Sequence, residues 1–170
     1  MSDSQETVRQ ILRQAYQIEV DGYTFYSMAA DKADKPAVQE LFDKLARDEV
    51  EHQAYLKGVA RSFDTEGVAA FRVGRREPEL KAVSDSVFSD RFKEQARGAA
   101  FEMGVLSIGM QLETRAIAYF TRAATETGEQ EVKDFYQFLA DWEKEHLDAL
   151  QSLHNAVRED FWTEGRFSPF

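Results

Sequence analysis

The chain contains no cysteine among its 170 residues. That excludes disulfides, thiolate metal sites and thiol nucleophiles, so any metal has to be held by nitrogen and oxygen. Proline is nearly as scarce, at three residues, and glycine numbers only nine, so few positions can interrupt a helix. No apolar run approaches the eighteen or so residues of a membrane span, and the start, MSDSQETVRQ, is polar. Neither a signal peptide nor a membrane anchor is expected, and the expected location is cytoplasmic. Positive charge is in deficit, with 21 basic residues against 31 acidic ones and a formal net charge of -10. Such a field repels nucleic acid and anionic lipid, so neither is an expected partner. A hydrophobic content of 43% is enough for one sizeable core, which predicts a single domain over residues 1–170.

What is present is helical periodicity. Apolar residues recur at three and four, and alternation at period two is absent. The pattern predicts an all-α four-helix bundle made of two repeated antiparallel hairpins. The first hairpin covers about 4–60, with one helix over 4–33. A second helix opens at DKPAVQEL, where Asp34 is placed to cap and Pro36 suits a first turn. The second hairpin covers about 99–157 and turns at Gly128. Residues 61–98 form the connection, with SDRFKEQAR as a candidate short helix. A link that long is what returning the chain along the length of a bundle requires. It carries eight basic and seven acidic residues, leaving thirteen and twenty-four to the rest of the chain, so the acidity belongs to the hairpins. The remaining tail, 158–170, is rich in aromatics, and docking on its own bundle or on a second subunit is expected of it.

The hairpins resemble each other in sequence. Residues 17–56 set against 111–150 without a gap share eleven identities in forty positions, among them Glu19 with Glu113, Glu49 with Glu143 and His52 with His146. These residues also break the apolar seams. One helix reads Leu12, Tyr16, Glu19, Tyr23, Tyr26, and the next reads Phe42, Leu45, Glu49, His52, Leu56. In the second hairpin the ladders are Leu106, Met110, Glu113, Ile117, Phe120 and Phe135, Leu139, Glu143, His146, Leu150. Each helix places a glutamate where an apolar side chain belongs.

Hairpin geometry makes these four meet. Glu19 and Glu49 would stand about 45 Å apart on one straight helix, but their midpoint is residue 34, in the turn, so antiparallel pairing sets them level. The midpoint of Glu113 and Glu143 is Gly128. Two such hairpins side by side gather four carboxylates and two imidazoles into one layer. Burying an unpaired carboxylate costs several kcal/mol, and crowding four raises their pKa values. No Lys or Arg stands on the seams. Two divalent cations would balance four carboxylates, and Glu and His three residues apart point from adjacent turns toward one ion. The six residues Glu19, Glu49, His52, Glu113, Glu143 and His146 are therefore the candidate ligands of a dinuclear metal centre. Nitrogen and oxygen donors accept iron, manganese or zinc.

Glu19, Glu49-x-x-His52, Glu113 and Glu143-x-x-His146 resemble the di-iron carboxylate site of the ferritin-like superfamily. The stretches QIEVDGYTFY and RDEVEHQAYL resemble its rubrerythrin-like branch, over about 5–60 and 99–157. The resemblance implies a ferritin-like bundle and two iron ions, with Glu49 and Glu143 bridging, Glu19 and His52 terminal on one ion, and Glu113 and His146 terminal on the other. It also implies reaction with dioxygen or hydrogen peroxide, and a homodimer. Two departures stand out. The chain lacks the four cysteines of a rubredoxin domain, so an external electron donor is expected. The family's further glutamate, one turn after the ligand on the third long helix, is Ala116 here, which makes the ligand count resemble that of a bacterioferritin ferroxidase centre.

The sequence thus predicts a ferroxidase or peroxidase-type oxidoreductase, with a non-catalytic iron-binding or iron-handling protein and a purely structural polar layer as its rivals. Tyr16, Tyr23 and Tyr26 share a seam with Glu19 and are candidates for hydrogen bonds to the ligands, or for core aromatics. Asp48 is placed for a supporting role to His52, or for solvent. His154 is expected at the surface.

Overall fold

A computed structural model describes residues 3–73 and 100–164, and among these it contains helix and no strand. Helix α1 spans Asp3–Lys32 and α2 spans Pro36–Glu66. A single 3-10 turn, Gly67–Ala69, leads into the short α3, Ala70–Val73. Helix α4 spans Ala100–Glu126 and α5 spans Gln130–Glu164. The four long helices form the all-α, ferritin-like bundle that the periodicity and the motif imply.

Three boundaries differ from the sequence reading. The residue that caps α2 is Lys35, in extended conformation, and no side chain bonds there. Asp34 is therefore not the cap. Pro36 at the first helical position forces the residue before it out of the helical region, so the cap falls next to the proline and not one residue earlier. Helix α2 also runs six residues past Ala60. Phe63 extends the buried row of Leu56 and Val59 by another turn, and the stop is Gly67. Its φ of 62° would strain any residue with a Cβ and is open to glycine, and its N–H donates to the Phe63 carbonyl. Third, α5 continues through Glu164, so the first residues of the supposed tail are helical. The candidate helix SDRFKEQAR and the last six residues lie outside the described part of the chain.

The two hairpins turn over 33–35 and 127–129, at opposite ends of the bundle. One apolar cluster joins Val8 and Leu12 of α1 to Val59 and Phe63 of α2, Phe120 of α4 and Phe135 of α5. The other joins Tyr26 and Ala30 to Val38, Phe42, Leu106 and Leu153. Helix α2 delivers the chain to the first cluster, where Phe71 of α3 packs between Phe63 and Phe135 with ring centroids 5.6 and 4.9 Å away. Helix α4 starts at the other end. Between the two clusters lies the layer that carries Glu19, Glu49, Glu113 and Glu143.

Candidate metal centre

Each long helix contributes its glutamate at mid-length, and α2 and α5 each add a histidine one turn on. All six side chains are buried: Glu19 and Glu143 are 1% exposed, Glu49 2%, His52 3%, Glu113 4% and His146 5%. An isolated surface Glu-x-x-His would show the opposite. The structure brings every one of the six candidates together.

Glu49 sits at the middle. Its Oε2 lies 3.3 Å from Nδ1 of His52 and its Oε1 lies 3.4 Å from Nδ1 of His146. The Nδ1 of His52 also meets Oε2 of Glu19 at 3.1 Å. On the other side, Nδ1 of His146 lies 3.8 Å from both Glu113 and Glu143. One donor atom each from Glu49, Glu113, Glu143 and His146 falls within 4.8 Å of the others, and the same holds for Glu19, His52 and Glu143. Glu143 belongs to both groups. Glu49 belongs to the first group only and also clusters with the two histidines.

Burial is the largest influence on every ionisable group here, and it opposes charge. It pushes the Glu19 carboxyl up to about 8 against the pull of His52. It raises Glu113 as well, and holds Glu143 far above the ordinary carboxylate range with help from the charges of Glu19, Glu113 and Glu49. Glu49 is the exception. Burial works against its charge too, but His146 and His52 on either side outweigh it and hold the carboxyl below its usual value. Burial likewise disfavours the imidazolium of His52, yet the hydrogen bonds to Glu19 and Glu49 lift it to about 10, and Glu49 raises His146. In the absence of a cation, protons take the place of positive charge in the layer.

Protons do not satisfy it completely. Oε1 of Glu19, Oε1 of Glu143 and Nδ1 of His146 are buried and make no hydrogen bond among the described residues. A buried polar atom without a partner costs about 1–3 kcal/mol. Three such atoms, all donors that a hard or borderline cation accepts, fit a pair of divalent ions.

The neighbours of the six differ from the sequence expectation. Of the three candidate tyrosines, only Tyr26 reaches a candidate ligand: it is fully buried and its hydroxyl donates to Oε1 of Glu113. Burial and the Glu113 charge keep that phenol protonated far above its ordinary range. Tyr23 is 42% exposed, and Tyr16 bonds Gln53 at 3.2 Å instead of a carboxylate. At about 100° per residue, Tyr26 lies about 20° to one side of Glu19, whereas Tyr23 and Tyr16 lie about 40° and 60° to the other, toward solvent. The Gln53 amide then donates to the Glu19 backbone carbonyl at 3.2 Å. Asp48 lies near the histidine of the other hairpin, 3.9 Å from Nε2 of His146, and not near His52 of its own helix. His154 is half-buried.

Three supporting residues escaped the sequence reading. Trp142 is 1% exposed and stacks on His52 at 4.1 Å and 11°, and His52 in turn stacks on His146 at 5.1 Å. The signal was its pairing with Asp48 in the repeat, an indole where the copy has a carboxylate. Gly22 passes so close to Glu49 that a Cβ would stand 3.0 Å from its Oε1, and a Cβ on Gly109 would stand 3.4 Å from the Tyr26 hydroxyl. Both glycines make room for site side chains. Nothing in the local sequence separates them from any helical glycine.

No individual curated protein and no solved structure matches the chain significantly. A sequence model of one family does, and the family is di-iron-binding: the Rubrerythrin model matches residues 10–154, a span that covers most of both hairpins and all six buried side chains. By that match, and with a core layer able to hold metal, the chain belongs to the rubrerythrin family.

Proposed function

We propose that Glu19, Glu49, His52, Glu113, Glu143 and His146 hold two iron ions, and that the protein is an oxidoreductase of ferroxidase or peroxidase type acting on dioxygen or hydrogen peroxide. The observation that carries this reading is the position of Glu49, with one oxygen toward each histidine. Bound iron would supply the redox chemistry, by changing between its ferrous and ferric states.

The chain's own residues would do the rest. Glu19 with His52, and Glu113 with His146, would each serve one ion, while Glu49 and Glu143 would span both. The membership of Glu143 in both donor groups supports this division. Loading displaces the protons that burial keeps on Glu19 and Glu143 and that the neighbouring carboxylates keep on the imidazoles, so metal uptake strengthens as pH rises. The Tyr26 hydroxyl holds the Glu113 carboxyl in position. Trp142 holds the plane of His52. The apolar clusters above and below the layer keep water from the site along the bundle axis.

Electrons would come from a separate donor, since the chain has no cysteine for a thiolate iron site. A homodimer and a cytoplasmic setting complete the proposal. No helix among the described residues is long and apolar enough to cross a membrane.

The test is anaerobic addition of ferrous ion followed by oxidant, read in the near-ultraviolet and visible spectrum. Two ions per chain and repeated oxidation cycles with a reductant are the expected outcome. A single slow oxidation would favour an iron-handling protein. Absence of bound metal would leave only a structural polar layer.

A further inference from the structure

A cleft of about 310 Å³ opens between α1 and α4 and ends on the carboxylate layer. Its floor is formed by Glu49, Glu113 and Glu143, and its lining includes neither histidine. Ile18 and Gly22 of α1 and Leu112, Ala116 and Tyr119 of α4 form the walls, with Arg115 and Asp21 also lining it. The side chain of Glu143 is 1% exposed, and its Oε1 has no hydrogen-bond partner among the described residues.

The size of this space is the informative quantity. A water molecule takes about 30 Å³ in the liquid, so the cleft has room for about ten, and dioxygen or hydrogen peroxide needs a small part of it. About 300 Å³ is instead the lower end of the range for sites that take small organic molecules. The walls combine the apolar Ile18, Leu112 and Ala116 with the exposed Gln14, Asp21 and Arg115, and the buried polar groups are the three carboxylates of the floor. Two small residues create the room: Gly22, where any Cβ would press on Glu49, and Ala116, which is 4% exposed and faces it across the cleft wall.

We infer that the α1–α4 cleft is a binding site for a small organic ligand with a polar head and a short apolar chain, the head directed to the metal layer and the chain lying along Ile18, Leu112 and Tyr119. Ala116 sets the length of chain admitted. The inference rests on the metal reading above, because a carboxylate head at the floor would otherwise meet Glu49, Glu113 and Glu143.

Short-chain carboxylates serve as probes. Protein loaded with two ferric ions per chain is titrated with azide and then with acetate, propionate, butyrate and valerate, and the change in the visible spectrum gives each affinity. Burying a methylene contributes about 0.8 kcal/mol, which is about fourfold in affinity. The wild-type protein should therefore gain about fourfold with each added methylene until the cleft is filled. In Ala116→Leu, which shortens the space, that gain should fall below twofold per methylene while both ions are retained. A wild-type series that is flat, with azide still perturbing the spectrum, overturns the cleft site and leaves the metal centre standing. A series as steep in Ala116→Leu as in the wild type also overturns it. Failure of the wild-type protein to hold two ions overturns the metal reading and the cleft site with it. The wild-type series decides the matter even if the variant does not fold.

Discussion

The two hairpins supply the same three candidate ligands each and surround them differently. In the first, Asp48 precedes His52 by one turn, half-exposed, within 3.9 Å of the histidine of the other hairpin. In the second, the equivalent residue is Trp142, fully buried and stacked on His52. Tyr26 of the first hairpin donates to Glu113 of the second, whereas its counterpart Phe120 has no hydroxyl to return the bond to Glu19. Glu19 relies on His52 and leaves Oε1 unpartnered. Gly22 admits Glu49 closely, and its counterpart Ala116 lines the cleft. The resemblance between the hairpins thus extends to the carboxylates and imidazoles of the layer, while the groups that orient them differ, because an orienting contact can be made by any side chain of suitable shape.

Removing what the hairpins share should have the largest effect. Glu49→Ala combined with Glu143→Ala takes away both spanning carboxylates, and metal analysis should show the loss of two-ion loading. Retention of both ions would mean that the ligand assignment is wrong.

Removing what they do not share should separate them. Trp142→Ala leaves a cavity beside His52 and should destabilise the metal-free protein by about 3–5 kcal/mol. Asp48→Ala, at the matching position but partly solvated, should cost about 1 kcal/mol or less. Urea unfolding of both variants checks the contrast, and equal losses would show that the stack carries no special weight.

A gentler probe is pH, applied to the metal-free protein. Glu19 rises from its ordinary value to about 8 and His52 to about 10. Both shifts are upward, so their contribution to stability is complete below the unfolded values and is lost as pH climbs through the folded ones. Glu49 moves the other way and its contribution is lost on acidification. The melting temperature should therefore peak on the acid side of neutrality and decline between about pH 4.5 and 10, where the folded protein holds protons on Glu19 and then on His52 that the unfolded chain has released. With metal bound, the ligands are already deprotonated and that decline should disappear. A metal-free melting temperature that rises over this interval would contradict the arrangement of protons described here.

Much of this was legible before any coordinates. The seam glutamates could be recognised because burial follows helical period, and an acid in an apolar row is conspicuous; their convergence followed from the midpoints at residue 34 and Gly128. Tyr26 could not be separated from Tyr16 and Tyr23, because a seam has width and a rotation of about 40° decides between core and solvent. The end of α2 at Gly67 and the helical start of the tail were missed for a related reason: Phe63 had to be seen packing on Phe71 before the extra turn was accounted for.

Local spacing and composition were therefore enough to specify helices, their pairing within each hairpin, and six donors confined to one level, since all of these depend on period and chain length alone. The stack of Trp142 on His52, the hydroxyl of Tyr26 on Glu113, the close pass of Gly22 over Glu49 and the cleft beside Ala116 depend on how one hairpin is rotated and set against the other. That relation is fixed by the packing of side chains far apart in the chain, and no repeat or periodicity records it.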